Sequence, residues 1–92
     1  MKIWATITVK NKITKDHVID FDSIVNPEAI DWVYMVGEAC QKLNIERPVI
    51  LRKHLNELDE FSSTFFIKDD FMDQTNFDKF GIEVLREKKD KQ

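Results

Sequence analysis

The chain has 92 residues, 42% of them hydrophobic, and a formal net charge of −3 at pH 7. Such a chain is long enough to bury a core and to fold as one domain. The acidic balance disfavours binding to nucleic acid or to an anionic membrane, because both require a basic surface. A single cysteine excludes an internal disulfide and any metal site built from several cysteines.

We expect one globular α+β domain over residues 1–86 and a charged, disordered tail over residues 87–92, where no apolar residue occurs. The uninterrupted apolar runs are only a few residues long, so no membrane-spanning segment is predicted. Because no signal-type apolar segment follows Met1 and Lys2, we expect a cytoplasmic location.

The first strand is predicted over Lys2–Val9, where apolar and polar residues alternate strictly. Such alternation indicates a strand with one buried face, and it places Trp4 on the opposite face. An extended pattern resumes over residues 13–21. The first twenty residues therefore predict a β-hairpin.

Two registers of this hairpin are compatible with the sequence. A two-residue turn at residues 11–12 would set Asp16 opposite Ile7 on the core face. A three-residue loop is favoured, because a shift of one residue turns the wrong side chains towards the core. It leaves Lys15 opposite Ile7, so a bulge is expected near residues 15–16. The favoured register predicts five cross-strand pairs: Val9 with Ile13, Ile3 with Ile19, Ala5 with His17, Lys2 with Asp20, and Trp4 with Val18.

A long helix is predicted over residues 26–43. Asn26 can cap the free N–H groups, Pro27 suits the first helical position, and Glu28 suits the positive end of the helix dipole. Gly37 indicates that a strand or a side chain approaches the helix closely. An apolar stripe, in which Cys40 serves as a small hydrophobe rather than a reactive thiol, faces the core: Ala29, Val33, Val36, Cys40 and Leu43.

The second half of the chain carries shorter elements. An apolar run predicts a strand over Pro48–Leu51, and leucines at helical spacing favour a short helix over residues 53–60, rather than an extended segment. Two further strands are predicted over residues 64–67 and 81–86. The elements together predict a two-layer α+β fold, with a mostly antiparallel sheet of four or five strands and the long helix on one face.

The first candidate site is a histidine with carboxylates, His54 with Glu57 and Glu60. On a helix, His54 and Glu57 lie one turn apart, and a histidine held by a carboxylate is typical of a general base or a metal ligand. The spacing matches no metal motif, and the chain has only two histidines. A solvated pair on the helix surface is the favoured interpretation.

The second candidate is an acidic stretch after the strand predicted over residues 64–67, and its clustered oxygens suit a hard cation. It lacks the alternation, the glycine and the final glutamate of a helix-loop-helix calcium site. Helix capping and turn formation explain these residues more simply, so we expect no metal and no cofactor. The members of the stretch are Asp69, Asp70, Asp73 and Asp78.

The third candidate is an aromatic surface. The chain has seven phenylalanines, and the neighbours Phe65 and Phe66 must point to opposite faces of a strand. One of them would join the core, and the other would share the far face with Trp4 and Val18. That face is either an interaction surface or is covered by residues 53–60 or 69–80, and the sequence leaves both open.

These observations favour a non-enzymatic module that binds a protein partner or forms a homodimer, through a surface drawn from Trp4, Val18, Phe65 and Phe66. Neither nucleic acid nor a membrane is an expected partner. The alternative is a small enzyme or a ligand- or metal-binding domain that uses a cluster around His54.

Overall fold

The computed structural model describes residues 2–21 and 31–85. Four strands lie in these ranges: β1 (Lys2–Val9), β2 (Lys12–Asp20), β3 (Ser63–Ile67) and β4 (Lys79–Leu85). They form one antiparallel sheet in the order β2-β1-β4-β3. Two helices, α1 (Trp32–Leu43) and α2 (Arg52–Phe61), lie between β2 and β3 in the chain. The fold class is therefore α+β, as predicted, and the tail predicted over residues 87–92 lies outside the described ranges.

The hairpin of β1 and β2 follows the predicted register over most of its length. Residues 2–7 pair as expected, with Ile3 opposite Ile19 and Trp4 opposite Val18. The register then shifts by one residue, so that Thr8 faces Ile13 and Val9 faces Lys12. The predicted three-residue loop is wrong: the turn consists of residues 10 and 11, both with positive φ. A two-residue turn with positive φ at both positions matches the right-handed twist of the two strands. Thr14 has no paired residue in β1, and the bulge at this residue accounts for the shift of register.

Helix α1 is shorter than predicted at its N-terminal end. Asp31 is the N-cap, with an extended backbone and a side chain that accepts from the Tyr34 N–H. The predicted cap at Asn26 lies outside the described residues. At the other end, Asn44 adopts the left-handed conformation and its N–H bonds to Cys40 O and Gln41 O.

The buried face of α1 differs from the predicted stripe at Val33, which is half exposed. Gly37 does mark a close approach, because an added Cβ would lie 2.7 Å from the guanidinium carbon of Arg47. Cys40 is buried as predicted, and its burial raises the pKa of the thiol to about 12. Five apolar side chains and a glycine form the buried face: Met35, Val36, Gly37, Ala39, Cys40 and Leu43.

The segment predicted as a strand over Pro48–Leu51 is not a strand. Pro48 is buried and Ile50 packs against the core. The Val49 N–H donates to Asp70 O at 2.6 Å, in the 3₁₀ turn Lys68–Asp70 that follows β3. The apolar run is thus satisfied by packing and by a turn rather than by the sheet. The short helix predicted over residues 53–60 is confirmed as α2.

Both helices pack on the same face of the sheet. The buried side chains of α1 join Ile3, Ala5 and Ile7 of β1 in a single apolar cluster. On the α2 side, the ring of His54 lies 4.2 Å from the ring of Phe66, which stacks on Phe80 at 5.6 Å. None of the helices in the described ranges is long and apolar enough to cross a lipid bilayer.

The neighbours Phe65 and Phe66 test this one-sided packing. Phe66 is fully buried, whereas Phe65 is 52% exposed. We expect Phe66→Ala to lower the free energy of unfolding by about 3–5 kcal/mol, or to prevent folding, because it leaves a cavity in the core. Phe65→Ala should cost less than about 1 kcal/mol. Urea unfolding followed by circular dichroism measures both, and equal costs for the two variants would contradict the assigned faces.

Candidate functional site

His54 lies at the start of α2, where its ring binds the backbone of the preceding turn. Its Nδ1 accepts a hydrogen bond from the Leu51 N–H at 2.9 Å, and its own backbone N–H donates to Leu51 O at 3.0 Å. The side chain is fully buried. The histidine therefore satisfies a backbone donor that the beginning of a helix would otherwise leave unpaired.

The second ring nitrogen of His54 faces a carboxylate. Nε2 lies 3.4 Å from Asp70 Oδ2, beyond good hydrogen-bond geometry. The same carboxylate oxygen accepts the Ile67 N–H at 3.0 Å. Because Nδ1 is an acceptor, the proton of the neutral ring resides on Nε2, directed at Asp70. His54 thus has no free lone pair for proton abstraction or metal binding, and the expected solvated surface pair is wrong.

Burial lowers the pKa of His54 below its usual value of 6.5, because a charged imidazolium loses its hydration in the core. Asp70 and Glu57 oppose this effect by their negative charge, whereas Lys53 adds to it. Protonation would also place a hydrogen on Nδ1, opposite the Leu51 N–H. The ring is therefore held neutral at pH 7 by its surroundings.

The other two members of the predicted His–carboxylate cluster do not converge on His54. Glu57 accepts a hydrogen bond from the buried Thr64 hydroxyl at 2.5 Å, which ties α2 to β3. Glu60 is exposed. His54 and Glu57 thus hold α2 against its neighbours, and Glu60 lies apart from them on the helix surface.

The acidic stretch is likewise distributed. Asp70 is used in the core, while Asp69 and Asp73 are exposed. Asp78 Oδ2 accepts the Lys10 N–H at 2.7 Å, and this bond, with Lys68 nearby, lowers the pKa of Asp78. Within residues 2–21 and 31–85, no group of three or more histidine, cysteine or acidic residues could hold a metal ion.

A polar cleft lies where the C-terminal end of α1 meets the hairpin and the loop before β4. Two adjoining hollows of about 460 and 490 Å³ share Asn44, Ile45, Asn76 and Phe77. Lys15 lines the cleft, and its Nζ donates to Leu43 O at 3.3 Å. That bond is a C-terminal cap of α1, so Lys15 has a structural use in the cleft.

The opposite face of the sheet is the face without a helix among the described residues, and we call it the open face. Strand pairing arranges its residues in rows that run across the sheet from β2 to β3. An incomplete row at one end of the sheet holds Asp20, Lys2 and Leu85. Three complete rows hold one residue from each strand, and the middle one includes Gly81. The complete rows are Val18, Trp4, Glu83 and Ser63; Asp16, Thr6, Gly81 and Phe65; and Ile13, Thr8, Lys79 and Ile67.

Several apolar side chains on the open face are accessible to solvent. Val18 is 49% exposed and Phe65 is 52% exposed, and Ile13 and Ile67 are also exposed. Trp4 is half-buried, and its Nε1–H donates to Asp16 Oδ2 at 2.9 Å. The predicted surface residues Trp4, Val18 and Phe65 are thus brought together. Phe66 is not among them, because its side chain is in the core.

The centre of the open face combines a shallow depression with charges that sequence reasoning missed. A hollow of about 130 Å³ is lined by Gly81, Thr6 and Trp4 among others. Thr6 Oγ1 lies 2.8 Å from the position of an added Cβ on Gly81, so the threonine side chain packs where a larger residue would place its own. Lys79 Nζ lies 5.0 Å from the centre of the Phe65 ring, a cation–π distance. Lys79 was missed because the last strand was predicted to begin at Gly81, whereas β4 begins at Lys79. Glu83 lies inside the predicted strand, but its face was not assigned. The alternation of β4 could have placed both on one face.

Comparison of the chain with protein-family models, with curated proteins and with solved structures finds no match.

The buried histidine predicts a specific pH dependence of stability. Because the pKa of His54 is lower in the folded than in the unfolded chain, the unfolded chain binds more protons below pH 6.5. The contribution of neutral His54 is complete above that pH and is lost as the pH falls towards the folded pKa. We expect His54→Gln to reduce the change of melting temperature with pH between about pH 7 and about pH 5. Glutamine cannot titrate, but it can accept the Leu51 N–H.

The matched control is His17→Gln, which removes the exposed histidine of β2. It should leave the slope of melting temperature against pH unchanged. If His17→Gln removed the slope and His54→Gln retained it, His54 would not be the cause of the pH dependence.

Proposed function

We propose that the chain is a non-enzymatic interaction module whose open face binds a protein partner, in the first instance a second copy of itself. The observation that carries this proposal is the group of exposed apolar side chains on a sheet face that neither helix covers. Several large apolar side chains exposed on one face of a small domain are typical of a binding surface.

The composition of the open face also suits protein binding. It combines an aromatic residue that keeps a polar contact, Trp4 on Asp16, with a phenylalanine under a lysine. Tryptophan is a preferred residue at the centres of interfaces, where it adds apolar area and a hydrogen bond. Small polar residues such as Thr6 and Ser63 alternate with the apolar ones, which keeps the free chain soluble.

The titratable groups support a non-enzymatic role. His54 and Asp70 each accept a backbone N–H, and Glu57 accepts the Thr64 hydroxyl. No described observation favours the alternative of an enzyme built around His54. We also propose a cytoplasmic location, which is compatible with the free, buried Cys40.

The test uses two exposed aromatic residues. Phe65 lies on the open face, whereas Tyr34 is 55% exposed on α1, which packs on the other face of the sheet. We expect the unmodified protein to gain mass with concentration in sedimentation velocity, and Phe65→Ala to weaken this association at least about tenfold by removing an aromatic contact.

Tyr34→Ala is the matched control and should associate as the unmodified protein does. An unmodified chain that remains monomeric up to millimolar concentration would contradict self-association. Equal losses in the two variants would show that the open face is not the binding surface.

A further inference from the structure

The outer two of the three complete rows on the open face are complementary to each other. Reversal of the row order sets Glu83 opposite Lys79 and the large Trp4 opposite the small Thr8, whereas each residue of the middle row meets its own copy. The middle row maps onto itself, and the outer rows exchange. The exchange brings together Glu83 with Lys79, Val18 with Ile13, Trp4 with Thr8, and Ser63 with Ile67.

We infer that the partner of the open face is a second copy of this chain, packed face to face about a twofold axis that runs along the middle row. The inference rests on the proposed function and specifies its partner and geometry. A twofold axis in the plane between two sheets, perpendicular to the strands, stacks each strand antiparallel on its own copy. It places Glu83 over the partner's Lys79, and Lys79 over the partner's Glu83.

Charge selects this axis over the other one available to two stacked sheets. An axis parallel to the strands, between β1 and β4, would put Asp16 over the partner's Phe65 and Glu83 over the partner's Trp4. Lys79 would then face the partner's Thr8. That arrangement leaves each central charge opposite an uncharged side chain, which costs desolvation without compensation. The axis along the middle row pairs both central charges.

Shape at the centre favours the same arrangement. The two copies of Gly81 would meet at the axis, where the hollow of about 130 Å³ on each copy leaves room between the sheets. Phe65, the cross-strand neighbour of Gly81, would meet its own copy in the same row. Asp16 meets its own copy only at the edge of the sheet, where the usual rotation of about 30° between packed sheets carries edge residues apart. Its carboxylate also keeps its bond to Trp4.

The area of the open face sets the expected affinity of the dimer. Four strands at about 4.8 Å spacing and roughly seven residues in length give a footprint on the order of 400–500 Å² per copy. The total lies at the low end of specific interfaces, so a weak, reversible dimer is expected. Sedimentation equilibrium across a wide concentration range is therefore the appropriate measurement.

The decisive experiment is a charge exchange. Lys79→Glu and Glu83→Lys each place like charges opposite each other, and each alone should weaken the dimer at least about tenfold. An equimolar mixture of the two variants should restore association, because every facing pair in the mixed dimer is again one acid and one lysine. The double variant should restore it as well. Lys79→Gln removes the cation without adding a negative charge and should weaken the dimer less than Lys79→Glu does.

Circular dichroism melting of each variant shows that the monomer still folds. Failure of both the mixture and the double variant to restore association, with an unmodified protein that dimerises, would overturn the twofold arrangement and leave the proposed function standing. An unmodified protein that stays monomeric would overturn both.

Discussion

The structure depends on one constraint: the sheet has two faces, and both described helices pack on the same one. Side chains alternate along every strand, so burial of Phe66 under α2 obliges Phe65 to point to the other side. The same alternation, applied to β1 and β2 in their observed register, sends Trp4 and Val18 to the side of Phe65. The apolar area of the open face is therefore a consequence of how the core is built. A two-layer domain that leaves such a face open places its apolar residues where a partner can bind them.

The core has a polar element that couples its parts. His54 joins the beginning of α2 to the preceding backbone through Nδ1, lies on the ring of Phe66, and directs Nε2 at Asp70. Asp70 in turn holds the end of β3 through the Ile67 N–H. A histidine and a carboxylate, which in a sequence indicate chemistry, here fix the position of a helix against an edge strand. Burial is the deciding factor, since a reactive base must keep a lone pair and access to a substrate.

Much of this fold could be predicted from the local sequence pattern, and the predictions that were wrong have identifiable physical causes. The alternation of residues 2–9 and the pairing of Ile3 with Ile19 were predictable because a one-residue shift would expose the core. The two-residue turn was not predictable, because no sequence signal indicates a positive φ at Lys10. The bulge at Thr14 compensates for the shorter loop and restores the predicted pairs. The irregular segment 48–51 has the composition of a strand, but its partner is a turn distant in sequence.

His54 was expected at the surface because a polar residue in a short amphipathic helix usually lies there, and only its distant partner Asp70 explains its burial. Which face stays open depends on the packing side of α2, a long-range property.

We propose that the chain associates through its open face. The two tryptophans of the chain permit a direct test of this proposal within one sample. Trp4 lies on the open face, whereas the Nε1–H of Trp32 donates to Asp59 on the helical side at 3.0 Å. In a dilution series followed by two-dimensional ¹⁵N–¹H NMR, the indole N–H signal of Trp4 should move with concentration together with the amide of Gly81. The indole signal of Trp32 should stay in place. Movement of the Trp32 signal with a stationary Trp4 signal would assign association to the helical side and contradict the account.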